Sequence, residues 1–552
     1  MIKEAVCHKM DKEFVYALEK GKYVIKLRTK KDDVTSVYLA FCDKYLYKLG
    51  AEDGEVYQSQ MYKSFSDELF DYYEIVLDST SLCVRYFFIL KDDKEVTYYG
   101  NYHFFDEPIS DLDYMFDFST SVKDDELFVV PSWAKGSIVY QIFVDRFARK
   151  DGSVDDSWYE IPTLGTNKRY GGCLKGITSK LDYLQDLGVE VLYLTPIFKS
   201  NTDHKYIIED YLKIDTDFGS KKDLKELITK AHEHGIRIIL DGVFNHTSAL
   251  FFAFQDVLKK QEKSEYKDWY YINKFPVKFE FDKKSKSLPS YLTFGYSAGM
   301  PKLNTTNPQV KKYIFNVVKT YLDMGIDGWR LDVADEIPHS FWKEFRSYVK
   351  SISKDALIVG EVWHEASEWL KGDEFDTVMN YEFNKSVERL CLDKKYKCSD
   401  FINDFNYVNS RLNLRIRNLL WNLIDSHDTP RFLTKVGEKK KILKFALALQ
   451  MVLPGMPMIY YGDEVGMIGE DDPDCRRGMM WDESKIDHEI FDYYKHWIKI
   501  RKDNEALKLG QLLIDDIDDE NRIIHITRKY FQDSIKIEID AKKFEVKIIE
   551  II

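Results

Sequence analysis

The sequence predicts an α/β protein: a (β/α)8 barrel with an N-terminal β-sandwich module and a small C-terminal β-domain. Three observations carry this reading. Eight apolar runs of strand length alternate with amphipathic helical segments from about residue 138 onward. Before them come short alternating strands with almost no helical periodicity. After them, the end of the chain returns to alternation.

The module is expected over residues 1–125. Its strand candidates are "YVIKLRTK", "VTSVYLAF", "YYEIVL", "LCVRYFFIL" and "EVTYYGNYHFF", separated by charged turns such as "KKDD" and "KDDK". That length suits a sandwich. "VKDDELFVVPSWAKGS", from residue 122, reads as a linker. The barrel is expected over 126–500, with strands in "IVYQIFV", "VEVLYLTPIF", "IRIILDGVF", "IDGWRLDV", "ALIVGEVW", "FDTVMNY", "LLWNLIDS" and "MPMIYYGDE". Helical segments such as "SKLDYLQDLG" and "VKKYIFNVVKTYLDMG" end at Gly, as a C-terminal cap requires. The long connection from about 247 to 307 reads as an inserted loop subdomain. Residues 501–552 complete the C-terminal β-domain.

The net charge of −13 argues against a nucleic-acid or anionic-membrane partner, because phosphate binding needs a basic surface. It suits a neutral or cationic substrate. No apolar run reaches the roughly 20 residues of a spanning helix. The start, "MIKEAVCHKMDKEF", carries no signal-peptide pattern. Seven cysteines without a CxxC pair suit a reducing cytoplasm. A cytoplasmic location is therefore expected.

In such a barrel the site lies at the C-terminal strand ends, and polar residues collect there. The third strand ends "DGVFNH" with Asp241, Asn245 and His246. The fourth runs into "GWRLDVADE", where Arg330 and Asp332 are two apart and so share a face. The fifth leads to Glu361, and the seventh to His427 and Asp428 in "DSHDTPR". Clustered carboxylates suit divalent-metal chemistry or glycoside hydrolysis. Arg330 decides against the metal: a cation beside Asp332 opposes one, yet keeps a nucleophilic carboxylate charged and oriented. Glu361 is followed by apolar Val362 and Trp363, a setting that favours a neutral general acid. Asp145 and Arg146 in "FVDRF" read as a structural ion pair. Tyr98, Tyr99 and Tyr102 read as core, and His488 and His496 as surface.

The motifs "DGVFNH", "GWRLDVADE", "EVWH" and "LIDSHD", in this order, resemble the four signature regions of the α-amylase family, glycoside hydrolase family 13. The resemblance covers roughly 135 to 500. It implies a retaining double displacement, with Asp332 as nucleophile, Glu361 as acid/base and Asp428 as transition-state stabiliser. It implies sugar contacts from Arg330, His246 and His427, and from Tyr206 in "HKY" as an aromatic platform with His204 nearby. "MPKLN" (300–304) and "DPDCRR" (472–477) are similar to the neopullulanase, cyclomaltodextrinase and maltogenic amylase subgroup. There Asp472 and Arg476 would hold the cleavage-subsite sugar, and Glu336 and Trp363 would lie on the acceptor side. The subgroup further implies cyclodextrins, pullulan and short maltodextrins as substrates, transfer as a side reaction, and a homodimer through a starch-binding-like N-terminal module. An α-glucosidase, an ordinary α-amylase and an inactive starch-binding protein are the rival readings.

Four departures from the resemblance stand out. Asp335-Glu336 replaces the usual Asn-Glu, and Ile207 stands where an Asp is common. Cys173 in "GGCLKG" replaces an Asp that often binds Ca2+, and the loop "FARKDGSVDD" offers Arg149-Lys150 near Asp151 instead of Asn-Gly. This Ca2+ site is expected to be lost, and no cofactor is expected.

Overall fold

A computed structural model describes residues 1–49, 55–121, 127–165, 167–279 and 290–552. The first part of the expected linker, 122–126, and residues 280–289 of the expected inserted loop lie outside the described residues. The chain forms two compact units, one of Met1–Val129 with Leu370–Gly372 and Tyr396–Arg417, the other of the remainder.

The first unit is built on an antiparallel sheet. Its strands run in the order Val15–Glu19, Lys22–Lys30, Phe70–Asp78, Tyr57–Ser66, Ser36–Asp43, Cys83–Lys91, Val96–Gly100, His103–Phe105, and Phe116–Ser119 pairs with Cys83–Lys91. Its two halves enclose one core: Ile25, Leu27 and Tyr73 from one half pack with Leu39, Tyr86 and Phe88 from the other. Alternation in the sequence foretells these inward positions. It does not foretell that Lys22–Lys30 is buried on both faces. The second face of that strand is covered by the helix Cys398–Arg411 and the turn after it, which arrive from far along the chain. Lys26 Nζ donates to the carbonyls of Ser410 (3.1 Å) and Leu412 (2.8 Å), and Arg417 pairs with Glu74. Tyr99 is core, as expected, whereas Tyr102 is exposed at a turn.

The second unit is a closed parallel barrel of eight strands: β1 (Val139–Ile142), β2 (Val191–Leu194), β3 (Arg237–Gly242), β4 (Gly328–Leu331), β5 (Leu357–Gly360), β6 (Thr377–Asn380), β7 (Trp421–Leu423) and β8 (Met456–Tyr460). All eight fall inside the predicted runs. Strands buried on both faces read as unbroken apolar runs, and that signal makes a parallel sheet legible. Gly188 (φ 97°) and Gly325 (φ 100°) cap the helices Leu181–Leu187 and Pro308–Met324 in the left-handed region. Gly328 is required for another reason: a Cβ there would sit 2.2 Å from the Leu357 carbonyl. A larger residue would push β4 from β5 just below the paired carboxylates.

The long connection after β3 carries the helix Phe252–Lys260 and short bridges, among them His246 with Lys302 and Tyr270 with Leu303. The helix His488–Asp503 runs through position 500, and a four-stranded antiparallel sheet follows, Gln511–Asp518, Ile523–Tyr530, Asp533–Asp540 and Glu545–Ile551. Among the described residues, no helix is long and apolar enough to cross a membrane.

Candidate active site

Register builds the site. Asp241 on β3 pairs with Arg330 on β4, and Arg330 with Val359 on β5. Asp332 and Glu361 each lie just past the end of their strand, so they meet at one rim. Arg330 is fully buried, which is costly unless its charge is matched. Its Nη1 donates to Asp241 Oδ2 (3.0 Å) and Asp332 Oδ1 (2.8 Å), and its Nη2 lies 2.8 Å from Glu361 Oε1. One guanidinium thus serves three acids. Tyr193 and Tyr206 also donate to Asp241 Oδ2, at 2.6 and 3.0 Å.

Burial is the largest influence on Asp332 and the Glu361 charge the next; both push its carboxyl well above the ordinary range, while Arg330 pulls it down. Asp241 is pushed up to about 6 by burial, against Arg330 and the two tyrosines. The expectation that Arg330 alone fixes Asp332 as a carboxylate is therefore incomplete. Three buried acids around one cation leave an excess of negative charge, and retaining protons relieves it.

The surroundings of Glu361 also differ from expectation. Val362 is buried, and Trp363 presents its N–H rather than an apolar wall. Glu361 Oε1 accepts from Trp363 Nε1 at 3.0 Å, and Oε2 from the Val333 N–H at 2.9 Å. Val333 adopts φ 46°, ψ 48° to aim that amide, a conformation that is strained for a β-branched residue.

Across the rim, His427 holds the other half of the site. Gln141 Nε2 donates to its Nδ1 at 2.6 Å, so the ring proton sits on Nε2, which faces the Tyr206 hydroxyl at 2.6 Å and Asp428 Oδ2 at 3.1 Å. The Tyr206 and His427 rings stack, 9° from parallel. Burial and the nearby Arg476 push His427 well below its usual range, so it is neutral. Burial likewise lowers His246 to about 3; its Nε2 meets the Tyr206 carbonyl at 3.2 Å. His204 Nδ1 accepts the Tyr206 N–H at 3.1 Å. Arg476 clamps the strand-seven turn: its Nε donates to the His427 carbonyl at 2.8 Å, Nη2 to Asp428 Oδ1 at 3.0 Å, and Nη1 lies 2.7 Å from Asp472 Oδ1.

On the other side, Trp363 is 41% exposed and stacks on Tyr381 at 4.0 Å between centroids. Glu336 accepts from Lys302 Nζ (2.8 Å) and Asn245 Nδ2 (3.2 Å). Asp335 lies 3.3 Å from His364. Eleven of the twelve singled-out residues thus join two linked networks, and Glu336 is held apart from them. Arg330 gathers Asp332 and Glu361, with Trp363 alongside; Tyr206 and His427 tie in His204, His246, Asp428, Arg476 and Asp472; Lys302 holds Glu336.

Sequence reasoning missed Gln141, Tyr193 and Lys302. Gln141 left a signal, a polar residue inside an apolar strand run. Lys302 lay within "MPKLN". Tyr193, within "VLYL", left none. Asp145 and Arg146 are a structural pair: Arg146 donates to Asp145 (2.7 Å), to Asp203 (2.8 Å) and to the Arg476 carbonyl (2.7 Å).

The residues near the expected Ca2+ place do not fit the ion. Arg149 Nε donates to the Tyr170 carbonyl at 2.8 Å, and its Nη1 pairs with Asp155 at 3.0 Å. A guanidinium thus occupies the Tyr170 carbonyl beside this place, and Cys173 offers sulfur where a hard cation requires oxygen.

Two family descriptions match: "Alpha amylase, catalytic domain" over residues 141–506, and "Alpha amylase, N-terminal ig-like domain" over residues 1–121. The chain is 42% identical to Neopullulanase 2 of Thermoactinomyces vulgaris over 93% of this chain and 86% of that protein. It is 42% identical to a cyclomaltodextrinase of Thermoanaerobacter pseudethanolicus, over 92% of this chain and 88% of that one. A solved structure titled cyclomaltodextrinase superposes with a TM-score of 0.91 at 40% identity, covering 98% of this chain and 91% of that chain. The chain therefore belongs to the α-amylase family.

Proposed function

We propose that this chain is a retaining glycosidase that cleaves α-glucosidic bonds in cyclodextrins, pullulan and short maltodextrins. The observation that carries the reading is the single buried guanidinium shared by Asp332 and Glu361. Two carboxyl groups flanking one cation suit the short separation, about 5 Å, of a retaining mechanism. Asp332 attacks the anomeric carbon in its carboxylate form, paired with Arg330, as Glu361 gives its proton to the leaving oxygen. Glu361, now a base, takes a proton from water, which displaces Asp332 and restores the anomeric configuration. A sugar hydroxyl in place of water gives transfer. Asp428 stabilises the cationic sugar ring, Tyr206 is its platform, and His204, His246, His427, Arg330, Asp472 and Arg476 bind it. Trp363 and Glu336 serve the acceptor side.

The chain works without Ca2+ at the Arg149–Cys173 place, acts in the cytoplasm and forms a homodimer through its N-terminal module. Seven cysteines without a disulfide support the location. Activity unchanged by EDTA supports the first point; loss restored by Ca2+ refutes it. A protomer mass at all concentrations in sedimentation refutes the dimer.

Product analysis on β-cyclodextrin, pullulan and soluble starch, with Asp332→Asn as blank, tests the function. Ring opening, panose from pullulan, poor starch cleavage and first products of retained configuration are expected. Fast random starch cleavage with little ring opening would mean an ordinary α-amylase. Inverted first products would refute the nucleophile assignment.

A further inference from the structure

A second pair of acids lies behind the strand-seven turn. Asp425, 1% exposed, accepts the Phe432 N–H through Oδ2 at 2.6 Å, which closes the turn that bears His427 and Asp428. Asp463, 4% exposed beyond β8, accepts from Arg431 Nη1 through Oδ1 at 2.8 Å. Each carboxyl has one oxygen left, Asp425 Oδ1 and Asp463 Oδ2, and both are buried without a donor. The two acids are held at successive residues, Asp463 by Arg431 and Asp425 by Phe432, which brings the two carboxyls into one buried cluster. Two carboxylates have no hydrogen to share, and a carboxyl facing a carboxylate has one.

The charges around the pair point the same way. Arg431 is the cation of this cluster, and Glu464 adds a third acid, held by the hydroxyls of Tyr140 (2.7 Å) and Tyr183 (2.6 Å). Tyr460 and Tyr461 face Arg431 at 4.3 and 5.0 Å, and buried Tyr494 faces the acids from the helix His488–Asp503. Unrelieved, three buried anions beside one guanidinium would be strongly unfavourable.

We propose that Asp425 and Asp463 share one proton, and that this acid pair positions Asp428 and Arg476. The connection is short. Asp425 closes the turn carrying Asp428. Arg431, held by Asp463, donates through Nε to the Cys475 carbonyl at 3.1 Å. The next residue, Arg476, grips the His427 carbonyl and Asp428 Oδ1. Asp425 and Asp463 are positioning residues, since neither touches the sugar. The catalytic half of the proposal rests on the role given above to Asp428; the shared proton does not.

Asp463→Asn tests both halves. Its amide N–H can donate to Asp425 while its oxygen still accepts from Arg431, so it imitates the protonated acid permanently. A carboxyl that keeps its proton only when folded makes stability fall as pH rises through its folded value. The variant is expected to keep kcat/KM at neutral pH within about threefold and to flatten the alkaline fall in Tm and activity. It should also lose the infrared band of a protonated carboxyl that the parent shows at neutral pH. Asp463→Leu, similar in size but without a donor, should lose more than about tenfold in kcat/KM at neutral pH. An Asp463→Asn protein with the parent's band and alkaline fall overturns the shared proton. If it does not fold, Asp425→Asn makes the same test, its amide donating to Asp463. Full activity in Asp463→Leu overturns the positioning half. Full activity in Asp428→Asn overturns the catalytic assignment and leaves the shared proton standing.

Discussion

At the scale of single residues, the site depends on groups in unfavourable states. Val333 is held at positive φ, and its amide then reaches Glu361. Glycine adopts that backbone without strain, so Val333→Gly should raise stability by about 1 kcal/mol and keep the hydrogen bond. Chemical denaturation checks this; a lower midpoint would show that the side chain's packing outweighs the strain. Glu361→Gln should cost about 10³-fold on maltodextrins, because an unactivated leaving group needs the proton. An activated aryl leaving group should recover most of that loss. Equal loss on both substrates would mean that Glu361 is not the acid.

At the scale of elements, the N-terminal sheet offers a pH test. His8 is buried, its Nδ1 2.7 Å from the Lys26 carbonyl and its Nε2 2.8 Å from the Tyr86 hydroxyl. Burial pulls it down to about 4 from an ordinary value of 6.5. The unfolded chain takes up this proton before the folded one does, so the contribution is full above pH 6.5 and lost as pH falls toward 4. His8→Asn should flatten that acid loss in the denaturation midpoint; an unchanged slope would refute it. Nothing in "EAVCHKM" announced a buried imidazole, because local sequence does not say what packs over a residue. The same limit explains Lys22–Lys30, whose second covering face comes from residues near 400. The barrel strands were legible because burial on both faces leaves unbroken apolar runs. The carboxylates were legible because each interrupts such a run at its end. Tyr193 and the Val333 amide that reaches Glu361 were not, since their roles depend on the register between strands.

At the scale of the whole molecule, the net charge is −13 while the proposed substrate is neutral. Long-range steering then has nothing to act on, so kcat/KM on maltodextrins should stay within about twofold between ~0.02 and ~0.5 M salt. A steep salt dependence would point to a charged substrate. The fully buried Arg330 has a consequence for how the enzyme's pH behaviour is read. With one cation answering to Asp241, Asp332 and Glu361, a proton leaving any one acid changes the field at the other two. The limbs of a pH–rate curve therefore describe the trio and name no member of it. A substitution at Asp241, which performs no chemistry itself, should displace both limbs together.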